Sequence, residues 1–90
     1  MNKYLVEFIG TFFFLYVILS TSDALAIGGA LILAIYIGSC ISGGNFNPVV
    51  SLIMASIGKI PMNDLLPYIV SQVSGGLAAL ELYRRMRWWL

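Results

Sequence analysis

Two short patches of this chain carry residue types and spacings that could do chemistry. The first is Glu7, a carboxyl set inside the apolar stretch from Tyr4 to Leu19. A carboxyl at membrane depth is costly, so one that is kept there has a task. It either holds a proton or substrate, or accepts hydrogen bonds from buried backbone. The second patch is Ser42-Gly43-Gly44-Asn45-Phe46-Asn47-Pro48, a polar break in an otherwise charge-free run. Asn47 followed by Pro48 has the pattern of a helix start, an N-cap before proline at the first helical position. A helix N-terminus facing a narrow path concentrates partial positive charge there, which opposes cations and orients neutral polar molecules. Little else is on offer. The chain has no histidine, which removes most zinc sites, histidine bases and histidine proton relays. Its one cysteine, Cys40, excludes an internal disulfide and reads as a small buried apolar side chain. Nucleophile–base pairs, metal-ligand clusters and phosphate-cradling glycine loops are missing from the sequence, so neither an enzyme nor a cofactor is expected.

The elements that position these residues must lie in lipid. Of 90 residues, 60% are hydrophobic and 10% charged, with a mean hydropathy of +0.93. Soluble domains carry roughly 45–50% apolar and about 25% charged residues. Five basic and four acidic side chains cannot cover a water-facing surface, so the chain reads as a multi-pass integral membrane protein whose first partner is the bilayer. A net charge of +1 gives no reason to expect nucleic acid.

The charges divide the chain into spans. Charge-free runs cover 8–22, 24–58 and 65–80. The first and third each suit one crossing helix, about 4–19 and 65–83. The middle run is too long for one crossing of about 20 residues and too short for two. Residues 24–41 make a second crossing, about 27 Å at ~1.5 Å per residue. The next helix, 48–57, reaches only about 15 Å, half the hydrocarbon thickness. Gly58 follows as a C-cap and Pro61 blocks continuation. Together 42–57 read as a re-entrant loop and half-helix, a geometry that survives in lipid only when buried in protein or lining a watery cavity. An ordinary surface loop and helix is the alternative, and the apolar character of Val49, Val50, Leu52, Ile53 and Met54 argues against it. The fold class is thus all-α, with three transmembrane helices and one half-helix, in a single unit spanning 1–90.

Helical spacing also assigns faces. Glu7, Gly10, Thr11 and Phe14 share one face of the first helix, and Tyr68, Ser71, Gln72, Gly75 and Ala79 one face of the third crossing. In the second, Gly28, Gly29, Tyr36, Ser39 and Cys40 stand among Ile and Leu. Small and polar residues mark helix contacts in lipid. Phe12, Phe13, Leu15, Ile69, Val70 and Val73 are expected to face lipid or another subunit. Glu7 with Gln72 is placed to satisfy the broken backbone at 42–47. The proton- or substrate-binding reading of Glu7 stays open beside it. Lys3, the apolar run and Ala24-Leu25-Ala26 also imitate a signal peptide, but Glu7 interrupts the apolar segment.

At Ser42–Ser51 the sequence resembles the first half of an aquaporin or glycerol facilitator, the major intrinsic protein family. Glu7-Phe8-Ile9-Gly10-Thr11 is similar to that family's opening Glu-x-x-Gly-Thr. Tyr68 to Gly76 is similar to its third helix, with Gln72 and Gly75 at the matching places. The three stand in the family's order over about residues 4–80. The resemblance implies a channel for water or small uncharged solutes such as glycerol, with two half-helices meeting at the bilayer midplane. It implies that Asn47 presents its amide to the solute file, that Pro48 packs against its counterpart, and that Val49 stands where the family has Ala. It further places Ile27, 20 positions before Asn47, at an outer filter position, and Val50 where the second half of the family carries its filter arginine. Gly43 and Gly44 fall in the loop that Glu7 and Gln72 support.

One such half leaves three completions: an antiparallel homodimer, a separate second-half chain, or a piece of a longer protein. The family's tetramers imply a further oligomer. Lys3 and Lys59 fall on one side, Arg84, Arg85 and Arg87 on the other, so the positive-inside rule gives little orientation. A chain that inserts both ways would suit the homodimer. The basic end, with Tyr83, Trp88 and Trp89, equally suits an interface anchor. Two other functions compete: a small proton-coupled exporter that titrates Glu7, and a holin-like structural membrane protein that needs no re-entrant loop.

Overall fold

In lipid every backbone N–H and C=O must be satisfied within the protein, and this chain does so with helices. A computed structural model describes residues 1–86. Along it run α1 (Lys3–Ser20), α2 (Ala24–Ser42), α3 (Pro48–Ser56), a 3-10 turn (Met62–Asp64) and α4 (Leu65–Met86). Among the described residues there is no strand, and α1, α2 and α4 are each long and apolar enough to cross a membrane, α4 being counted with its leading turn. The bundle is 43 Å long and 23 Å across, close to the roughly 40–45 Å of a bilayer with its headgroups.

Caps explain where the helices begin. Asn2 Oδ1 accepts from the Leu5 N–H at 2.8 Å, and Asp23 Oδ2 from the Ala26 N–H at 3.1 Å. Asn47 Oδ1 does the same for the Val49 N–H at 2.8 Å, with Pro48 at the first position of α3. The far end of α3 closes on Gly58, whose φ of +82° suits a residue without a Cβ. The Gly58 N–H reaches the Ala55 carbonyl at 3.2 Å and the Lys59 N–H that of Met54 at 2.8 Å, the paired bonds of a Schellman motif. Hence α3 has nine residues and ends at Ser56, one short of the expected 57. The crossings run slightly longer than expected, most at α4, which continues through residue 86 instead of 83. There Arg85 bonds Glu81 one turn earlier, and basic side chains suit a helix C-terminus.

The parallel helices α1 and α4 make the most extensive contact. It depends on Gly75, where an added methyl would overlap the Phe8 carbonyl oxygen and come within 3.1 Å of the Phe12 nitrogen. Two backbones thus touch where a side chain would part them. Glu7 and Thr11 of α1 and Tyr68, Gln72, Gly75 and Ala79 of α4 are buried, whereas Ser71 is half-buried.

α2 differs from its expected orientation. Ala30, Ala34, Gly38 and Ser42, a continuous i, i+4 ridge, form its buried face against α1. Gly29, Tyr36, Ser39 and Cys40 are exposed, Tyr36 by 81%, and Gly28 is half-buried with open space beside it. Cys40 is therefore not the buried side chain its type suggested. Small size alone did not select the face; a ridge unbroken from Ala30 to Ser42 did. Of the residues expected to point outward, Phe13, Val70 and Val73 are exposed. Phe12, Leu15 and Ile69 are half-buried, Phe12 stacking on Tyr16 at 6.4 Å.

Candidate functional site

The chain between α2 and α3 enters the bundle without regular structure, so its amides need partners. α1 supplies them through Glu7, which is completely buried. Glu7 Oε2 accepts from Ser42 Oγ at 2.6 Å and from the Asn45 N–H at 3.1 Å. Oε1 accepts from the Phe46 N–H at 2.7 Å and from Gln72 Nε2 at 2.8 Å. Gln72 Nε2 also donates to Ser51 Oγ at 2.8 Å, where Asn45 Nδ2 arrives at 2.9 Å. Tyr68 Oη donates to the Ser42 carbonyl at 2.7 Å, and the Gly44 N–H to Ser42 Oγ at 3.2 Å. One carboxyl thus joins α1, the end of α2, the loop and α4, and Ser51 adds α3. Buried polar groups of this kind rigidify their surroundings when fully partnered.

The glycines shape the approach. Gly44 has a φ of +64° and lies so near α2 that a methyl there would stand 3.4 Å from the Ile35 Cα and 3.5 Å from the Ser39 Cα. Gly43 ends α2 in the left-handed region, its N–H bonded to Ser39.

What this scaffold presents is the start of α3. Asn47, Pro48 and Val49 are exposed. Asn47 uses its side-chain oxygen on the Val49 N–H, and its amide nitrogen has no partner among the described residues. Beside it runs a groove of about 360 Å³ between α1 and α4, bordered by Thr11, Phe14, Asn47, Pro48, Gln72 and Gly76 among others. Behind its wall, shut off from solvent, Thr11 Oγ1 and Gln72 Oε1 lack hydrogen-bond partners among the described residues. A helix N-terminus carries about half a positive charge. The groove therefore combines a positive dipole end and a free amide donor with largely apolar walls. That combination suits small neutral molecules that accept hydrogen bonds, and disfavours cations.

Some expected site residues lie elsewhere. Ile27 and Val50 are half-buried and border neither this groove nor the cleft between α1 and α2. Arg87, Trp88 and Trp89 of the proposed anchor fall outside the described residues, whereas Tyr83 is half-buried and Arg84 exposed. Ser42, Asn45, Ser51 and Tyr68 join the Glu7 network without having been assigned to it. Ser42, Asn45 and Ser51 are polar residues in a charge-free run, a signal that such side chains have buried partners. Among the described residues, three or more potential metal-ligating side chains nowhere come together.

A second anchor sits at one end of the bundle. Asp64 accepts from Tyr4 Oη at 2.7 Å and forms an ion pair with Lys3, tying the start of α1 to the turn before α4. Tyr4 packs edge-on against Tyr68, with ring centres 6.0 Å apart.

Residues 21–87 match the model of the major intrinsic protein family. Among curated proteins, the chain is 40% identical over 88 residues to glycerol uptake facilitator protein-like 6 of Lactiplantibacillus plantarum, covering 88% of this chain and 41% of that protein. It is 38% identical over 97 residues to aquaporin Z of Brucella melitensis, covering 91% of this chain and 42% of the relative. Identity to aquaporin Z of Rhodopseudomonas palustris is 34% over 96 residues, covering 90% and 40% respectively. The chain spans about two fifths of the length of these relatives.

Proposed function

The chain belongs to the major intrinsic protein family, and from that premise we propose that it forms one wall and one half-helix of a transmembrane pore. The pore passes water or small uncharged solutes such as glycerol and is completed by a second half-repeat. The observation that carries this reading is the start of α3: Asn47, held from behind by the Glu7 network, borders a groove between α1 and α4. The names of the relatives, glycerol facilitator and aquaporin, point to the same solutes. In this reading Asn47 offers its amide to the solute, Pro48 and Val49 meet the opposite half-helix, and Ile27 and Val50 line an apolar outer filter once the second half is in place. Glu7, Gly43, Gly44 and Gln72 support the loop.

One such second half, beside a separate second-half chain or a further part of the same polypeptide, is a second copy in the opposite orientation. Support comes from the even spread of basic residues, Lys3 and Lys59 against Arg84, Arg85 and Arg87, which leaves insertion weakly directed. No observation favours the proton-coupled exporter, because the Glu7 carboxyl is fully enclosed and already accepts four hydrogen bonds.

Reconstitution into liposomes tests the channel. After an osmotic step with sucrose, vesicles carrying the protein should shrink faster than empty ones, with or without an imposed proton gradient. A step with glycerol then reads solute range. Asn47→Asp keeps an acceptor for the Val49 N–H but removes the amide donor, and should slow the response several-fold. Rates no higher than in empty vesicles would sink the stand-alone channel, and dependence on the gradient would favour the exporter. Tags on both termini check the pairing in intact cells: the homodimer expects two orientations, and one uniform orientation rejects it.

A further inference from the structure

Phe46 stands between two cavities that share no other bordering residue. On one side is the groove beside Asn47, which presents the start of α3 and the free Asn47 amide. On the other is a cleft of about 350 Å³ between α1 and α2, bordered only by apolar residues such as Val6, Ile9, Phe13, Leu33 and Ile37. One compartment suits polar solutes and the other suits hydrocarbon.

Backbone and sockets together hold the ring in place. Phe46 is the one non-glycine among the described residues with positive φ, at 54°, a conformation bulky side chains rarely adopt. Glu7 restrains it by accepting from the Phe46 N–H and from the Asn45 N–H before it. The ring, 3% exposed, occupies the space left by two glycines. A methyl added at Gly10 would overlap it, and one at Gly38 would stand 3.0 Å from Phe46 Cζ and 2.9 Å from Val6 Cγ1. Such an arrangement exceeds what loop closure needs, since a smaller side chain at 46 would keep both backbone hydrogen bonds.

We propose that Phe46 is the partition of the solute path: its ring seals the Asn47 groove from the lipid-side cleft, so acyl chains stay out and polar solute stays in. The inference rests on reading that groove as the path. Removing the ring would join the cavities, because a large-to-small change in a packed interior leaves space that neighbours fill only in part.

The test follows access rather than flux. In a Cys40→Ser background, Gly76→Cys places a thiol in the groove, since Gly76 is half-buried there and a Cβ on it would meet only Leu15 Cγ at 3.7 Å. Its labelling in liposomes is compared between a small charged water-borne thiol reagent and a long-chain alkyl maleimide dissolved in the bilayer. With Phe46 present the water-borne reagent should dominate. Phe46→Ala should raise alkyl labelling by roughly an order of magnitude, as the vacated space opens a route, and Phe46→Leu should leave it low. Equal labelling by both reagents with Phe46 in place would overturn the proposal. So would an unchanged ratio in Phe46→Ala with full helical signal by circular dichroism. If Phe46→Ala loses that signal, Phe46→Val decides: a raised ratio supports the partition and an unchanged one rejects it. A failed osmotic assay bears on the channel reading alone, and a failed labelling contrast on the partition alone.

Discussion

Two carboxylates hold this chain's irregular segments, and they do so by different physics. Glu7 lies fully enclosed and accepts from Ser42, Asn45, Phe46 and Gln72, all neutral donors. Asp64 lies at one end of the bundle, paired with the cation of Lys3 and the hydroxyl of Tyr4. The Lys3 side chain is 38% exposed, so water can take over if Asp64 is lost. No such replacement exists for the amides of Asn45 and Phe46. The number of hydrogen bonds does not set the importance of each acid; what their donors could do without it does.

The sharpest attempt to break this contrast is Glu7→Gln. Its amide offers one acceptor oxygen where the carboxyl offered two, and it turns an NH2 toward groups that themselves donate. At least one buried backbone N–H then goes unpaired, costing about 1–3 kcal/mol, with more from the loss of strong acceptor bonds. The expected outcome is the largest drop in thermal stability of any conservative change in the chain, read as loss of helical circular dichroism in micelles. A near-neutral Glu7→Gln would show that the loop is held by packing, and the comparison would fail at its stronger side.

The fold was largely legible because lipid leaves few alternatives. The positions of Lys3, Glu7, Asp23, Lys59, Asp64 and Glu81 bounded the spans, and Asn47-Pro48 with Gly58 marked a helix too short to cross. The bonds from the Asn45 and Phe46 amides to Glu7 were readable as a shortage, since buried amides at 42–47 needed acceptors and few polar side chains were within reach. The packing face of α2 was not readable from residue size. Gly28, Gly29, Ser39 and Cys40 are as small as Ala30, Ala34 and Gly38, and only the unbroken i, i+4 spacing of the second set, continued to Ser42, sets it apart. Nor was the role of Phe46, whose side chain is apolar like its surroundings. Its meaning lies in the empty positions Gly10 and Gly38 opposite it, the first on a helix distant in sequence. The Asp64 anchor was hidden for a similar reason: it joins residues 60 and 61 positions apart whose charges, read singly, look like solvated ends.

The smaller effect is expected at Asp64, and salt separates the two sites. Asp64→Asn keeps an oxygen for Tyr4 but removes the charge that faces Lys3. The Lys3 ammonium then turns to water, so the fall in melting temperature should be well below that of Glu7→Gln. Near 1 M salt the screening length shrinks to about 3 Å, and exposed ion pairs lose most of their worth. The difference between wild type and Asp64→Asn should therefore narrow as salt rises, while the deficit of Glu7→Gln stays constant, since its partners are neutral and closed to ions. Lys3→Met should reproduce the Asp64→Asn shift and add little when the two are combined, because each removes the same pair. A salt-independent Asp64→Asn deficit, or full additivity with Lys3→Met, would show that Asp64 works through Tyr4 alone. Both acids would then be hydrogen-bond acceptors first, separated only by how deeply their donors are buried.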